Sequence, residues 1–211
     1  MLERLARVAK AISSPSRLEI LEYLAQKERN VETLARLTGL TVANVSQHLQ
    51  QLKNTGLVTS RKQGLHVIYT LSNDEVVDLV GALRSVTEKS LSDVNAIVQE
   101  YFKERDNLEP VPASELWKRA KEGLVTVLDV RPPDEFEAGH VPGAINIPLK
   151  DLEKKIKSLK LKKEVIAYCR GPYCVLAFDA VELLRKKGIA ARRLETGFPE
   201  WKRANLPVEK G

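Results

Sequence analysis

Apolar residues in the first hundred positions recur at three- and four-residue steps between short polar breaks, the pattern of successive amphipathic helices. Leu2, Leu5, Val8, Ala9 and Ile12 make the first such face. A restart follows at "SSPSRLEILEYL". Ser14 is placed to cap this helix, and Pro15 suits its first turn, where the missing N–H has no partner to lose. Leu18, Leu21 and Leu24 supply the buried stripe, with Ile20 beside them. In "NVETLARLTGL", Val31, Leu34 and Leu37 predict a short helix that Gly39 ends in the left-handed conformation. A tight turn leads into "TVANVSQHLQQLKNTGLV", with Thr41 as N-cap and Val45, Leu49 and Leu52 facing inward. The period then changes: "GLVTSRK" and "HVIYTLS" read as two strands joined around Gln63-Gly64. Beyond them Val76, Val80, Leu83, Val86, Leu91, Val94, Ile97 and Tyr101 mark a long amphipathic stretch interrupted near Ser90. A helix of ~25 residues spans nearly 40 Å. That is more apolar stripe than a small three-helix core covers, so a second copy of the chain is the expected partner.

The texture shifts at "KERDNLEPVPASE", a charged segment with Pro110 and Pro112, and the linker is placed at 103–111. Past it, "LVTVLDV" (124–130) and "EVIAYC" (164–169) read as buried strands. They alternate with helical segments around "SELWKRAKEG", "LKDLEKKIKSL" and "VLAFDAVELLRKKG". Strands alternating with helices imply a mostly parallel α/β sheet. The expected architecture is thus two domains: a mainly-α domain over 1–102 with a long dimerisation helix, and an α/β domain over 112–211.

Charge sharpens this division. The chain of 211 residues has a formal net charge of +6. Residues 1–107 carry 14 Lys and Arg against 13 Asp and Glu, while residues 108–211 carry 20 against 15. If the first domain binds nucleic acid, it must therefore use a local patch. From Val42 to Lys62 the charged residues are Lys53, Arg61 and Lys62, with no acid among them. The lysine-rich "KKIKSLKLKK" (154–163) is either a solvated face or a docking surface for an anion or acidic partner. No segment approaches the ~20 apolar residues of a membrane span. The N-terminus lacks the apolar core of a signal peptide, so the expected location is cytoplasmic, with no membrane partner. In that compartment a paired Cys169 and Cys174 point to reactivity more than to a standing structural disulfide.

Helix, helix, tight turn, helix and basic hairpin is the order of a winged helix-turn-helix. "SSPSRLEILEYL", "LARLTGLTVANVSQHLQQLKNTGLV" and "RKQGLHVIYTLS" resemble the ArsR/SmtB family of bacterial repressors over residues 1–100. The resemblance implies a homodimer on a double-stranded DNA operator. A helix fits the major groove, and amides can pair with adenine edges. Asn44 and Gln47 are the candidates for base edges. Thr41 opens the helix, Ser46, His48 and Gln51 could touch bases or phosphates, and Arg61, Lys62 and His66 could set the wing on the backbone. The amides could instead only solvate the helix, and His48 could hydrogen-bond within the fold. Many family members sense metals through thiolates on the helix before the recognition helix, or through carboxylate–histidine pairs on the last helix. Here the first has no cysteine and the region 74–101 has no histidine, so a thiolate sensor is excluded, an all-carboxylate site would bind transition metals weakly, and no metal site is expected.

The segment "EVIAYCRGPYCVLAFDA" carries the other chemistry. A buried strand delivers Cys169 into a short turn, and a helix is expected to begin at Cys174 or Val175. Backbone N–H groups of 170–174 and the positive helix end would then favour thiolate at Cys169, with Arg170 contributing if it turns inward. "VLDVRPPDEFEAGHVPGAINIPL" (127–149), "VIAYCRGPYC" (165–174) and "LETGFPEW" (194–201) resemble the rhodanese, or sulfurtransferase, domain over residues 110–209. The resemblance implies that Cys169 accepts sulfane sulfur from a donor such as thiosulfate or polysulfide. The persulfide would be held in a loop containing Arg170, Gly171, Tyr173 and Cys174. Asp129, Arg131, Glu135 and His140 are expected to form a polar cluster that fixes nearby loops. A phosphatase loop of the form Cys-x5-Arg would need arginine where Val175 stands. Active rhodaneses often carry a cationic or hydroxyl residue at the sixth loop position, here Cys174. That cysteine could resolve a modified Cys169 as a disulfide, or simply start the helix as a small residue.

A sensor-type DNA-binding domain without cysteine, joined to a domain with a reactive loop, suggests a regulator that handles sulfane sulfur or redox state through Cys169. The alternative is a thiosulfate-type sulfurtransferase whose DNA-binding domain answers another signal. A third reading makes the second domain an inert interaction module. No cofactor is expected in any of these.

Overall fold

The computed structural model describes residues 1–97, 110–156 and 163–211. The chain forms two compact units, Met1–Leu83 and Arg84–Gly211. In the first, α1 (Leu2–Ile12), α2 (Pro15–Gln26), β1 (Arg29–Asn30), α3 (Val31–Thr38), α4 (Val42–Asn54), β2 (Val58–Gln63) and β3 (His66–Leu71) precede α5 (Glu75–Ser90). The last of these runs across the boundary between the units and is followed by α6 (Ser92–Ile97). The break falls beside Ser90, where the sequence pattern falters.

The core of the first unit is built by the helical stripes. Ile20, Leu34, Val45, Leu49 and Leu52 have no exposed surface, and Leu21 and Leu24 are nearly as deep. Burying each such side chain contributes about 1.5–3 kcal/mol, which helix propensity alone does not approach. Val76 joins this core, with Leu79 and Val80 packed against it. The α1 stripe behaves differently: Ile12 is buried, whereas Leu2 is 80% and Leu5 57% exposed.

Local chemistry sets the helix ends. The Thr41 hydroxyl accepts the Asn44 N–H at 3.2 Å, and Gly39 closes α3 at φ 70°. Ser14 precedes α2 in extended conformation, but its hydroxyl makes no cap bond; its carbonyl accepts from Arg17 and Leu18 instead. β2 and β3 pair antiparallel from Val58↔Leu71 to Gln63↔His66. β1, absent from the sequence reading, adds to the other edge of β3 through Arg29↔Tyr69 and Asn30↔Ile68.

The second unit holds α7 (Ala113–Lys121), β4 (Val125–Asp129), α8 (Pro133–Ala138), β5 (Ile145–Asn146) and α9 (Leu149–Lys155). They are followed by β6 (Glu164–Tyr168), α10 (Val175–Lys186), β7 (Ala191–Arg193) and α11 (Phe198–Arg203). Its strands form a parallel sheet in the order β5-β4-β6-β7. Side chains alternate across it as the pleat requires. Val165, Ala167 and Cys169 enter one core, while Ile166 and Tyr168 enter the other with Trp201.

Val111, assigned to the linker in the sequence reading, is fully buried and bridges Leu194. The rest of that linker up to 109, Tyr101 of the apolar stripe and positions 157–162 of the lysine-rich run lie outside the described residues.

Candidate functional site

Two sites emerge. On α4 the buried positions Val45, Leu49 and Leu52 leave Asn44, Ser46, Gln47 and Gln51 exposed, with Thr41 exposed at the cap. Gln51 is already engaged, its Oε1 accepting from Arg17 at 2.6 Å. His48 is half-buried, and its Nδ1 is buried without a hydrogen-bond partner. In the wing, Arg61, Lys62 and His66 are exposed. Arg61 forms a two-pronged pair with Glu28. That hydrogen bond holds the Glu28 carboxyl below its usual range against a smaller opposing effect of burial. His66 lies 3.9 Å from Glu32.

The second site is the turn after β6. Cys169 is 1% exposed and is joined to the partly buried Cys174 by a disulfide, their α-carbons 6.1 Å apart. The sequence leaves open whether Cys174 bridges Cys169 or only starts the helix, and in this structure the two are bridged. The Cys174 N–H closes a turn onto the Gly171 carbonyl at 3.1 Å, which brings the α-carbons within bridging range. That amide therefore serves the turn. Cys174 is the N-cap residue of α10, with Val175 the first helical residue.

Arg170 turns to Glu135. Its Nε lies 3.1 and 3.0 Å from the two carboxylate oxygens, and its second guanidinium nitrogen lies 2.8 Å from one of them. Glu135 has no exposed surface, so this pair anchors the loop to α8 in a poorly screened setting. Tyr173 belongs to the same unit as Arg84 and Glu88. Arg84 lies 5.9 Å from its ring centroid. Burial pushes the Tyr173 phenol up, and a hydrogen bond to Glu88 adds to the shift.

Behind the loop, Arg131 and Asp129 are both fully buried and paired at 2.6 Å. Arg131 also donates to the Gly139 carbonyl at 2.8 Å and stacks 4.2 Å from the Phe198 ring centroid. Burial opposes the Arg131 charge, but the Asp129 pair outweighs it and the guanidinium pKa is raised. His140 stacks on Phe136 and directs Nδ1 to the Phe136 carbonyl at 2.9 Å. These contacts make the Asp129, Arg131 and His140 cluster a support for the α8 loop. Among the described residues, no group of three or more His, Cys, Asp or Glu could hold a metal. No helix among them is long and apolar enough to cross a membrane.

Residues 14–60 match the model of bacterial regulatory proteins of the arsR family, and residues 112–204 match the rhodanese-like domain. An HTH-type transcriptional regulator of Mycobacterium tuberculosis, Rv0324, is 40% identical over 211 residues, covering 100% of this chain and 92% of that protein. The chain belongs to the ArsR family. It is a transcriptional regulator of that family with a rhodanese-like domain in its second half. Among solved structures, the homodimeric winged helix-turn-helix domain of Mb0332 from Mycobacterium bovis is 39% identical. It covers 43% of this chain and 83% of that one, with a TM-score of 0.40. A rhodanese-related protein from Thermoplasma volcanium is 31% identical, covering 48% and 98%, with a TM-score of 0.44.

In this ArsR-family regulator, the fold gathers Cys169, Arg170, Gly171, Tyr173 and Cys174 into one turn, as their adjacency requires. The partners of that turn come from elsewhere. Glu135 as the anchor of Arg170 could be suspected only from its place in the first motif. Gly197 of "LETGFPEW" had no reading beyond the motif. A Cβ at Gly197 would lie 2.4 Å from loop backbone, whereas a Cβ at Gly171 would meet nothing within 4 Å. The sterically constrained glycine is thus outside the loop.

Proposed function

We propose that this regulator is a homodimeric repressor that reads sulfane sulfur or thiol redox state through Cys169, with Cys174 as its resolving thiol. The observation that carries the reading is the pairing of the only two cysteines of the chain in one turn at the start of α10. The Cys169 thiolate attacks a terminal sulfane sulfur of a polysulfide. The donor S–S bond breaks, the donor leaves one sulfur shorter, and a persulfide forms on Cys169. The Cys174 thiolate then attacks the inner sulfur, and the persulfide S–S bond breaks to expel hydrosulfide. Two thiols are oxidised to a disulfide and one sulfane sulfur is reduced to sulfide.

DNA contact is assigned to α4, with Asn44 and Gln47 on base edges, Ser46 and Gln51 beside them, and Lys62, Arg61 and His66 on phosphates. Dimerisation is assigned to the apolar side chains left open along the helices: Leu2 and Leu5 of α1, and Leu83 and Val86 of α5, the last 61% exposed. A tenfold change in operator affinity needs only ~1.4 kcal/mol of preference by the modified protein for one dimer geometry.

The test is binding to DNA from upstream of the regulator's own gene at fixed salt, comparing reduced with polysulfide-treated protein and with Cys169→Ser. An affinity that changes on treatment in the wild type alone supports sensing. Equal affinity in all states, together with multiple turnover of thiosulfate lost in Cys169→Ser, replaces the sensor with a sulfurtransferase attached to a regulator.

A further inference from the structure

Gly197 stands just before α11, 28 positions beyond Cys169 in the chain. A Cβ built on it would lie 2.4 Å from the carbonyl carbon and oxygen of Arg170 and from the amide nitrogen of Gly171. The atoms it would strike are main chain, which no rotamer change can move aside. The backbone at Gly197 has φ −106°, open to any residue. What glycine supplies here is missing volume and not an unusual conformation.

The neighbouring bonds tie the same segment to the cysteine. The Phe198 N–H donates to the Cys169 carbonyl at 3.1 Å, and the Leu194 N–H donates to the Ala167 carbonyl at 2.9 Å. Residues 194–198 therefore follow β6 to its end and lie against the turn. Glu200 fixes the glycine from its other side, its Oε2 accepting the Gly197 N–H at 3.0 Å. The buried Glu135 carboxylate in turn holds the Arg170 side chain. The peptide joining Arg170 and Gly171 is gripped between these two supports.

We propose that Gly197 is a positioning residue for Cys169, its bare α-carbon setting the 170–171 peptide that shapes the pocket around the sulfur. The proposal rests on the reading of Cys169 as the nucleophile. A backbone amide held at a fixed place stabilises a thiolate or persulfide anion only if it need not reorganise as charge appears. Displacing that peptide weakens the stabilisation while leaving the strand, the helix and the cysteine in the chain.

The test is the pH profile of iodoacetamide alkylation, read separately for Cys169 and Cys174 by peptide mass spectrometry on the reduced full-length protein. In Gly197→Ala the Cys169 profile should move to higher pH, and its rate at neutral pH should fall about tenfold, with Cys174 changed less. Glu200→Ala, which loosens Gly197 without adding volume, should move Cys169 in the same direction by a smaller factor. If circular dichroism shows that Gly197→Ala does not fold, Glu200→Ala decides. A wild-type profile for Cys169 in the folded variants overturns the proposal, as does an equal loss at both thiols. A wild-type Cys169 that alkylates no faster than free cysteine removes the nucleophile reading itself. A reactive wild type with insensitive variants removes only the clamp.

Discussion

On α4, Asn44, Ser46 and Gln47 stand free on the outer face of a helix whose inner face carries Val45, Leu49 and Leu52 at zero exposure. In the turn after β6, Cys169 is 1% exposed, and its surroundings are held by Glu135, Phe198 and the backbone beside Gly197. The first separates a buried scaffold from outward-facing residues. Core residues set the helix, and Asn44, Ser46 and Gln47 project outward from it, whereas Gln51 is tied to Arg17. The second site does not separate them, because the residues that support the loop are also those that shape it. Substitutions in the first should add, and those in the second should couple.

The most severe test of this contrast is Arg131→Met. It leaves Asp129 buried without its partner, which costs about 3–5 kcal/mol. Denaturant melts should show the second unit losing stability by that order, and Cys169 alkylation should change with it. A stable variant with unaltered Cys169 would break the claim that support and site are one system. Next come Asn44→Ala and Gln47→Ala, each expected to lose about 1–3 kcal/mol of operator discrimination. Fluorescence anisotropy should give a double variant near the sum, and strong non-additivity would count against independent readers.

Glu28→Gln has a smaller and opposite effect. Freed from its carboxylate partner, Arg61 can meet a phosphate, so affinity should rise about threefold at low salt and the salt slope should steepen by about one. The pH sign agrees. Because the Glu28 pKa is lowered in the fold, the pairing is present above the ordinary carboxyl range and is lost as pH falls through the lowered value. Smallest is Tyr173→Phe. The phenol pKa is raised above 10.0, by burial first and Glu88 second. Its contribution to stability is therefore complete below the ordinary phenol range and is lost as pH rises through the raised value. Alkaline melts of the variant should show a shallower decline than those of the wild type.

The two faces of α4 were legible because their information is local. Apolar spacing fixes the inner face, Gly39 ends the helix before it, Thr41 caps its start, and the outward residues follow by rotation. β1 was not legible: two residues, Arg29 and Asn30, become a strand only because Tyr69 and Ile68 are there to pair with them. The orientation of Arg170 depended on Glu135, 35 positions away, and no periodicity carries that distance. Gly197 likewise carries no local sign of its role until the loop backbone is placed against it. Ser14 marks the opposite limit, a correct helix boundary whose hydroxyl does not make the expected bond.

The unequal burial of the two sulfur-bearing residues gives the disulfide a direction of repair. An incoming thiol, glutathione-sized or larger, meets Cys174 before it meets Cys169. Attack there captures Cys174 in the mixed disulfide and expels Cys169 as the leaving thiolate. The reducing step thus returns the deeper cysteine first, while the shallower one still waits for release. Reduction would then release the two thiols in order, Cys169 before Cys174.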